Sequence, residues 1–271
     1  MDISIRISSG MQLPGKIYKP AGEISKVMLL IHGLGDHFDR YIEWSERFAK
    51  EGVAVVGVDL PGHGRAPGKK GHIKNYHVYN DVIDCLAEKA HKEFGNLPMG
   101  IYGHSLGGNI VLNYLLTNTW GFKFSIITSP WIILAQQPPK AMMAIARLAN
   151  VIAPGLLQPN GLNADHITTV KEVNTKYSND PLAHDRVSVR LACEALDAAQ
   201  RILDTGSRID IPVLVLHGTE DMICSPEGSL TFADGKSNVE LKLWDGGYHE
   251  LQNESFNDKV FDYINQWLNK L

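Results

Sequence analysis

The stretch Met99-Gly100-Ile101-Tyr102-Gly103-His104-Ser105-Leu106-Gly107 decides the fold of this chain. Its first four residues have the pattern of a strand, and the apolar spacing over residues 106–116 predicts a helix directly after it. Between them, Gly103, Ser105 and Gly107 form a G-x-S-x-G pattern. A glycine on either side of the serine suits a strained, tightly packed turn in which side chains would clash. The pattern therefore predicts a sharp strand-to-helix turn that presents the Ser105 hydroxyl at the helix N-terminus.

Strand-like and helical patterns alternate on both sides of this turn. The strand-like runs cover residues 27–31, 53–58, 99–102, 125–127, 211–216 and 239–243, after an opening hairpin at 3–7 and 16–18. The helical patterns lie near residues 40–51, 76–94, 106–118, 226–234 and 254–270. Several of the strand-like runs are apolar throughout, as expected for strands that are buried on both faces. The alternation predicts an α/β fold with a mostly parallel central sheet and helices on both faces.

The segment from residue 129 to residue 207 breaks this rhythm. It contains helical patterns but no clear strand, and it is too long for a crossover and too short for a full second domain. Because α/β sheets bind ligands beyond the carboxyl ends of their strands, we interpret the segment as a helical cap, or lid, inserted over those ends. The predicted organisation is a first part of the core at residues 1–128, the cap at 129–207 and a second part of the core at 208–271.

A serine nucleophile needs a general base, and the base needs an acid that orients it. Where a G-x-S-x-G turn carries the serine, the three groups follow the chain order Ser, Asp or Glu, His. After Asp221 the chain contains a single histidine, His249, in a Gly-rich loop. Asp221 follows the strand-like run at 211–216, and Glu220 is the alternative acid. We predict Ser105 as the nucleophile, His249 as the general base and Asp221 as the acid.

An acyl-transfer reaction also needs backbone N–H groups that stabilise the negative oxygen of the tetrahedral intermediate. One donor is expected from Leu106, the residue after the nucleophile. The second is expected from Leu34, because Gly33 and Gly35 allow its loop to turn back toward Ser105. The alternative interpretation of this loop is a plain turn at the end of a strand.

The composition excludes several classes of function. The 271 residues carry a net charge of −4 and show no stripe of lysine and arginine, which argues against nucleic acid as a partner. None of the 11 histidines falls in an H-E-x-x-H or similar ligand spacing, so we predict no metal. The Gly-rich loops fit neither the P-loop nor the dinucleotide-binding pattern, so we predict no cofactor.

Targeting signals and thiols bear on the location of the protein. The first residues lack the pattern of a signal peptide, and no apolar run approaches the roughly 20 residues of a membrane span. The 3 cysteines form neither a disulfide framework nor a zinc pattern. We therefore expect a cytoplasmic protein with reduced thiols, and this expectation leaves room for peripheral contact with a membrane. The sequence gives no indication of oligomeric state.

Beyond these patterns, the chain resembles the monoacylglycerol lipase and lysophospholipase-like branch of the α/β-hydrolases, from about Val27 to Trp267. The motifs that carry the resemblance are His32-Gly33-Leu34-Gly35-Asp36-His37 with Arg40-Tyr41, Asp59-Leu60-Pro61-Gly62-His63-Gly64, Gly103-His104-Ser105-Leu106-Gly107-Gly108, Ser129-Pro130, Asn179-Asp180-Pro181-Leu182, Gly218-Thr219-Glu220-Asp221 and Tyr248-His249. The resemblance implies the α/β-hydrolase fold and hydrolysis of a single-chain lipid ester through an acyl-serine intermediate. The expected reaction converts a monoacylglycerol to glycerol and a free fatty acid.

The resemblance also implies roles for the cap and for polar residues near the substrate. In such lipases the cap is a mobile lid, and here residues 141–152 are apolar nearly all round. This segment suits a lid whose outer face contacts a membrane or a micelle and whose inner face contacts the acyl chain, or alternatively a helix buried between cap and core. Asp36 and Arg40 match positions where similar lipases place polar groups near the alcohol part of the substrate, and Tyr177 matches a tyrosine of the cap. For all three, the alternative to substrate contact is loop stabilisation. The chain differs from the family pattern at position 36, where it has an aspartate and glutamate is more usual.

Other functions remain as alternatives. A lysophospholipase and a general carboxylesterase for small soluble esters would use the same catalytic groups. A catalytically silent ligand receptor on this fold is the alternative from another class, although the complete Ser, Asp and His set argues against it. Peptidases also occur on this scaffold. Epoxide and haloalkane hydrolases are disfavoured, because they carry an aspartate where this chain has Ser105.

Overall fold

The computed structural model describes residues 1–117 and 120–271, and a central sheet of eight strands organises them. The strands of the chain are β1 (Asp2–Arg6), β2 (Gln12–Tyr18), β3 (Lys26–Ile31), β4 (Val53–Val58), β5 (Met99–His104), β6 (Phe124–Thr128), β7 (Leu157–Pro159), β8 (Arg186–Ser188), β9 (Val213–Gly218) and β10 (Val239–Trp244). In the central sheet their order is β1-β2-β4-β3-β5-β6-β9-β10. Only β1 and β2 run antiparallel to their neighbours, so the prediction of a mostly parallel sheet is confirmed.

Eight α-helices connect or follow the strands in the described residues. They are α1 (Ile42–Lys50), α2 (His77–Phe94), α3 (Leu106–Leu115), α4 (Lys140–Ile152), α5 (Lys171–Ser178), α6 (Val189–Thr205), α7 (Pro226–Ala233) and α8 (Asn257–Leu268). Short 3₁₀-helices lie at Phe38–Tyr41, Ala164–His166, Gly206–Arg208 and Leu251–Asn253. The helix predicted at 106–118 thus ends earlier, and the last residue of that prediction, Asn118, lies outside the described residues.

The sheet separates two hydrophobic layers, and β3 shows how the sequence produces them. Alternate side chains of a strand point to opposite faces. Val27, Leu29 and Ile31 accordingly join the core cluster that contains buried residues of α2, α3 and α6. Met28 and Leu30 join the cluster on the other face, with the aromatic residues of α1 and α8. Burial on both faces explains why this strand is apolar without alternation, and the prediction of helices on both faces is confirmed.

The register of the sheet positions the site. In the parallel pair of β3 and β5, Ile31 lies opposite Gly103. The loops that leave the carboxyl ends of these two strands therefore start side by side. One loop carries Leu34 and the other is the turn with Ser105, so two distant parts of the sequence are brought to one edge of the sheet.

The segment predicted as a helical cap contains strands as well as helices. β7 and β8 pair antiparallel as a small separate sheet, so the expectation of no strand in this segment was wrong. Each strand has three residues, too few for a periodic pattern to appear in the sequence. α6 buries Ala195, Ala198 and Ile202 in the same core cluster as α3. The boundaries at 128 and 207 stay predictions.

Helix α4 lies at the surface. None of its residues is buried, and Ile145, Leu148 and Val151 are 69%, 63% and 80% exposed. Its one arginine, Arg147, forms an ion pair with Asp197 of α6. The alternative of a helix buried between cap and core is therefore wrong. Within residues 1–117 and 120–271, no helix is long and apolar enough to span a bilayer.

Candidate active site

The turn between β5 and α3 holds Ser105 in a strained conformation. Its φ is 54° and its ψ is −118°, in a region that residues with a side chain rarely adopt. A Cβ on Gly103 would lie 2.5 Å from the carbonyl oxygen of Gly107, and one on Gly107 would lie 2.1 Å from that of Ile31. The two glycines are thus required by backbone packing, as the sequence pattern predicts. The turn places the serine directly before the first helical residue.

The structure brings Ser105, Asp221 and His249 together. The Nδ1 of His249 lies 2.7 Å from Oδ2 of Asp221. Because the carboxylate can only accept, Nδ1 carries the ring proton, and Nε2 is left as the basic nitrogen. Ser105 and His249 line the same small cavity, of about 20 Å³, and are 8% and 5% exposed. The arrangement suits proton transfer from a serine hydroxyl to an imidazole.

The carboxylate of Asp221 is fixed on both oxygens. Oδ1 accepts hydrogen bonds from the backbone N–H groups of Ile223 at 2.8 Å and Cys224 at 3.0 Å. Although burial raises the pKa of Asp221, the adjacent histidines His249 and His217 outweigh it and hold the pKa well below its ordinary value. Glu220, the alternative acid, has an exposed side chain. Asp221 is therefore the carboxylate that contacts His249.

Ser129 holds the loop that carries His249 by a hydrogen bond to its backbone. Its Oγ donates to the carbonyl oxygen of His249 at 2.7 Å, and its φ of 44° is unusual for a residue other than glycine. The ring of His104 lies 4.8 Å from that of His249. Burial lowers the pKa of His249, but the negative charge of Asp221 and their hydrogen bond raise it above its ordinary value. The site thus favours the protonated imidazole that forms when a serine is activated.

The predicted oxyanion donors lie on either side of the nucleophile. Leu106 is the first residue of α3, and N–H groups in the first turn of a helix have no acceptor within the helix. A Cβ on Gly33 would lie 3.2 Å from the Cβ of Ser105, so the loop that carries Leu34 passes directly against the serine. Leu34 lines the cavity. The backbone N–H of His184 donates to the carbonyl oxygen of Gly35 at 3.0 Å and fixes the loop that carries Leu34.

The three residues expected to contact the substrate, Asp36, Arg40 and Tyr177, also line the cavity, but protein groups already engage them. The carboxylate of Asp36 accepts from the backbone N–H of His37 at 2.7 Å and from the hydroxyl of Tyr41 at 2.8 Å. The guanidinium of Arg40 lies 3.1 Å from Asp36 and 4.7 Å from the ring centre of Tyr177. These contacts fit the alternative role of loop stabilisation as well as substrate contact.

Comparisons with known proteins bear on this geometry. A family model, Hydrolase_4, described as serine aminopeptidase S33, matches residues 22–255. The chain belongs to this α/β-hydrolase family. The monoacylglycerol lipase of Mycolicibacterium smegmatis is 28% identical to it over 262 residues, which cover 96% of this chain and 93% of the relative. The resemblance found in the motifs is thereby confirmed at the level of the family.

Two further relatives extend the match. The crystal structure of Paleococcus ferrophilus monoacylglycerol lipase superposes with a TM-score of 0.87 at 31% identity, covering 94% of this chain and 98% of the other. The chain is also 32% identical, over 88% of its own length, to an uncharacterized abhydrolase domain-containing protein of Dictyostelium discoideum. It spans 26% of that protein. The fold of this α/β-hydrolase is therefore shared with monoacylglycerol lipases over nearly its whole length.

The cavity of this α/β-hydrolase is covered by apolar side chains. Leu162, Ile167 and Tyr177 come from the segment predicted as the cap, and Ile223 comes from the loop after β9. No described residue of α4 lines the cavity, so the expectation that this helix contacts the acyl chain was wrong for the structure as it stands. Adjoining it, Cys224 is buried, and burial raises the pKa of its thiol well above the ordinary value. The cover of the cavity is thus apolar, while Asp36, Arg40 and Glu250 give the remaining lining its charged groups.

Sequence reasoning missed two residues of this site. Glu250 forms a bidentate ion pair with Arg40, and His217 contacts Asp221. Glu250 follows the predicted base directly, but its partner lies 210 positions away along the chain, and no local pattern joins them. His217 precedes the loop of the predicted acid, which was the only available signal. Among the described residues, no group of three His, Cys, Asp or Glu side chains could hold a metal ion.

Proposed function

We propose that this protein is a serine ester hydrolase that cleaves monoacylglycerols to glycerol and free fatty acid. The observation that carries the proposal is the constellation of Ser105, His249 and Asp221, with the 2.7 Å contact between the histidine and the aspartate, in a cavity covered by apolar side chains. A histidine held in one tautomer beside a serine on a strained strand-to-helix turn is the arrangement of nucleophilic acyl transfer.

In the first half of the proposed reaction, Nε2 of His249 takes the proton of the Ser105 hydroxyl while Oγ attacks the ester carbonyl carbon. The carbonyl oxygen becomes negative and receives hydrogen bonds from the N–H groups of Leu34 and Leu106. When the C–O bond to glycerol breaks, the imidazolium returns its proton to the leaving oxygen. An acyl-serine remains, and glycerol departs.

In the second half, a water molecule takes the place of the alcohol. His249 accepts a proton from the water, the resulting hydroxyl attacks the acyl carbon, and the same two N–H groups stabilise the oxyanion. Collapse of this intermediate breaks the bond to Ser105, and the serine recovers its proton from the imidazolium. Asp221 stays ionised throughout and stabilises the charged imidazole.

The character of the cavity cover supports a single-chain lipid as the substrate. A volume of about 20 Å³ does not hold an acyl chain, so part of the cover, at Leu162, has to move when substrate enters. The apolar side chains of the cover then offer the chain a dry surface, and each buried methylene contributes about 0.8 kcal/mol. The monoacylglycerol lipases among the relatives support the same substrate class.

The exposed helix α4 supports contact of the cap with a lipid surface. Met142, Ile145, Leu148, Val151 and Ile152 present apolar side chains to solvent. An apolar patch of this kind marks a surface that binds another apolar body, and a membrane or micelle that contains the substrate supplies one. The free thiols of Cys85, Cys193 and Cys224 fit a reducing, cytoplasmic location for such a peripheral contact.

A hydrolysis panel tests the proposal. We expect kcat/KM for monoacylglycerols below the micelle threshold to rise with acyl length from two carbons to about eight, because methylenes are buried in the transition state. A maximum at two or four carbons would indicate a general carboxylesterase instead. Faster cleavage of lysophospholipids or of amino-terminal peptide substrates would indicate a lysophospholipase or a peptidase. If the protein hydrolyses no ester and a fluorophosphonate does not label Ser105, the protein is a catalytically silent ligand receptor and not an enzyme.

A further inference from the structure

We infer that Glu250 is a positioning residue, which through its ion pair with Arg40 holds the loop of the general base in register with the loop of the oxyanion donor. The inference rests on the proposed function as a serine hydrolase, but not on the identity of the ester. Nothing in the catalytic chemistry described above uses Glu250 or its charge.

The geometry of the ion pair is that of a rigid connection. Nη1 of Arg40 lies 2.7 Å from Oε1 of Glu250, and Nη2 lies 2.7 Å from Oε2. Two parallel hydrogen bonds between planar groups fix their relative orientation as well as their distance. The side chain of Arg40 is 12% exposed and that of Glu250 is 4% exposed, so solvent screens the pair little.

The pair joins two loops that both face Ser105. Arg40 lies in the 3₁₀-helix at Phe38–Tyr41, directly after the loop that carries Leu34 and Asp36, and its Nη1 also contacts Asp36 of that loop at 3.1 Å. Glu250 follows His249 without an intervening residue. A shift of Glu250 relative to Arg40 would therefore move the imidazole relative to the oxyanion donor on the other loop.

Glu250 has further contacts that hold the same loop. Its backbone N–H donates to the carbonyl oxygen of Ile167 at 2.8 Å, and Nδ2 of Asn253 donates to its Oε2 at 2.6 Å. Ile167 belongs to the cover of the cavity. The residue after the general base is thus held by the core on one side and by the cover on the other.

The engagement of Arg40 separates this role from substrate binding. Nη1 is shared between Glu250 and Asp36, Nη2 faces Glu250, and the guanidinium stacks on Tyr177. Three of the five N–H donors of the guanidinium are therefore engaged by carboxylates of the protein itself. The effect of the ion pair on catalysis is accordingly expected with any ester, including one that lacks glycerol.

The charge of Glu250 also provides a specific signature. Three carboxylates act on His249, those of Asp221, Glu250 and Asp36. The ring of His104 lies beside it, and Arg40 lines the same cavity. Glu250 is one of the carboxylates that raise the pKa of His249. Removing the charge of Glu250 leaves Arg40 in place and lowers the pKa of His249. A mere loss of order in the loop would not shift that pKa in a defined direction.

The test is Glu250→Gln in the full chain, measured with monoacylglycerols, with p-nitrophenyl butyrate and by the rate of fluorophosphonate labelling. We expect kcat to fall by roughly 10- to 100-fold with both esters, KM to change little, and labelling to slow in proportion. The acidic limb of kcat/KM should move to lower pH, because one of the carboxylates that raise the pKa of His249 has lost its charge. Glu250→Asp should recover part of kcat. Glu88→Gln, which removes an exposed ion pair with Lys92, is the matched control and should behave as the wild type.

Two results would overturn the inference. One is a loss that appears with monoacylglycerols through KM and not with p-nitrophenyl butyrate, because it assigns the pair to alcohol binding. The other is an unchanged kcat and pH profile in a folded variant. If Glu250→Gln does not fold, Arg40→Lys keeps the charge but loses the bidentate geometry, and the same criteria apply to kcat with both esters. A wild type that cleaves p-nitrophenyl butyrate but no monoacylglycerol would contradict the proposed substrate and leave this inference intact.

Discussion

The Nε2 atom of His217 lies 3.1 Å from Oδ2 of Asp221, the oxygen that also accepts from Nδ1 of His249 at 2.7 Å. The side chains of His217 and Asp221 are both fully buried. On the other side of the His217 ring, Nδ1 lies 2.7 Å from Oγ of Ser229. Because the Asp221 carboxylate can only accept, Nε2 of His217 carries a proton. Two imidazoles therefore share one carboxylate oxygen, and only one of them faces the nucleophile.

This relationship predicts a role for His217 in orienting Asp221. We expect His217→Phe to lower kcat by about tenfold or more and to cost about 1–3 kcal/mol of stability, because buried groups on Asp221 and Ser229 lose their partner. His217→Gln, whose side-chain N–H can still donate, should retain more of both. Kinetics and urea unfolding measure the two effects. A folded His217→Phe variant with wild-type kcat would show that His249 alone orients the carboxylate.

The proposed triad predicts non-additive losses. Ser105→Ala and His249→Ala should each lower kcat by several orders of magnitude, while circular dichroism shows an intact fold. Since the groups act as a unit, the double variant should be little worse than either single one. Retention of most of the activity in Ser105→Ala is incompatible with the mechanism.

The environment of His249 predicts the acidic limb of the pH profile. The general base has to be neutral, so kcat/KM falls as pH drops through its pKa in the free enzyme. Burial lowers the pKa of His249, but the contact with Asp221 raises it and outweighs burial. The inflection is therefore expected above the ordinary value of 6.5. Initial rates with p-nitrophenyl butyrate between about pH 5 and pH 9 measure it. An inflection well below 6.5 would mean that burial outweighs the aspartate.

The close approach at Gly107 predicts a large cost for any side chain there. A Cβ would lie 2.1 Å from the carbonyl oxygen of Ile31 and 2.6 Å from that of His32, both of which are backbone atoms. We expect Gly107→Ala to lower the free energy of unfolding by about 2–4 kcal/mol in urea titrations. Gly22→Ala is the control, because nothing lies within 4 Å of its Cβ position. Equal stability of the two variants would contradict the geometry of the turn.

The apolar surface of α4 predicts binding to lipid. The combined variant Ile145→Ser, Leu148→Ser should weaken co-sedimentation with vesicles of phosphatidylcholine and monoacylglycerol by roughly 30-fold, since each side chain contributes on the order of 1 kcal/mol on partial burial. Hydrolysis of a short soluble ester should not change, because α4 does not line the described cavity. Gln200→Ser, an exposed polar change on α6, is the matched control. Unaltered vesicle binding would indicate that another surface meets the lipid.

Local patterns were sufficient for the core of the fold because they arise from nearest neighbours in the structure. The apolar runs of β3 and β4 follow from burial on both faces of a parallel sheet, and the spacing of glycines around Ser105 follows from one tight turn. The cap was harder to predict. β7 and β8 have three residues each and pair only with each other, so the sequence shows no alternating pattern that predicts them. The exposure of α4 depends on what packs against it, which an apolar sequence does not reveal.

The sequence by itself determined the fold class and the chemical groups in their order: a strained serine, a later aspartate and a single histidine after it. Only the tertiary structure decided that Asp221 and not Glu220 contacts His249, and that Arg40 pairs with Glu250 across 210 positions. The physical reason is range. A turn or a strand is specified by residues within a few positions of one another, whereas an ion pair between two loops exists only after the sheet has set both loops at the same edge.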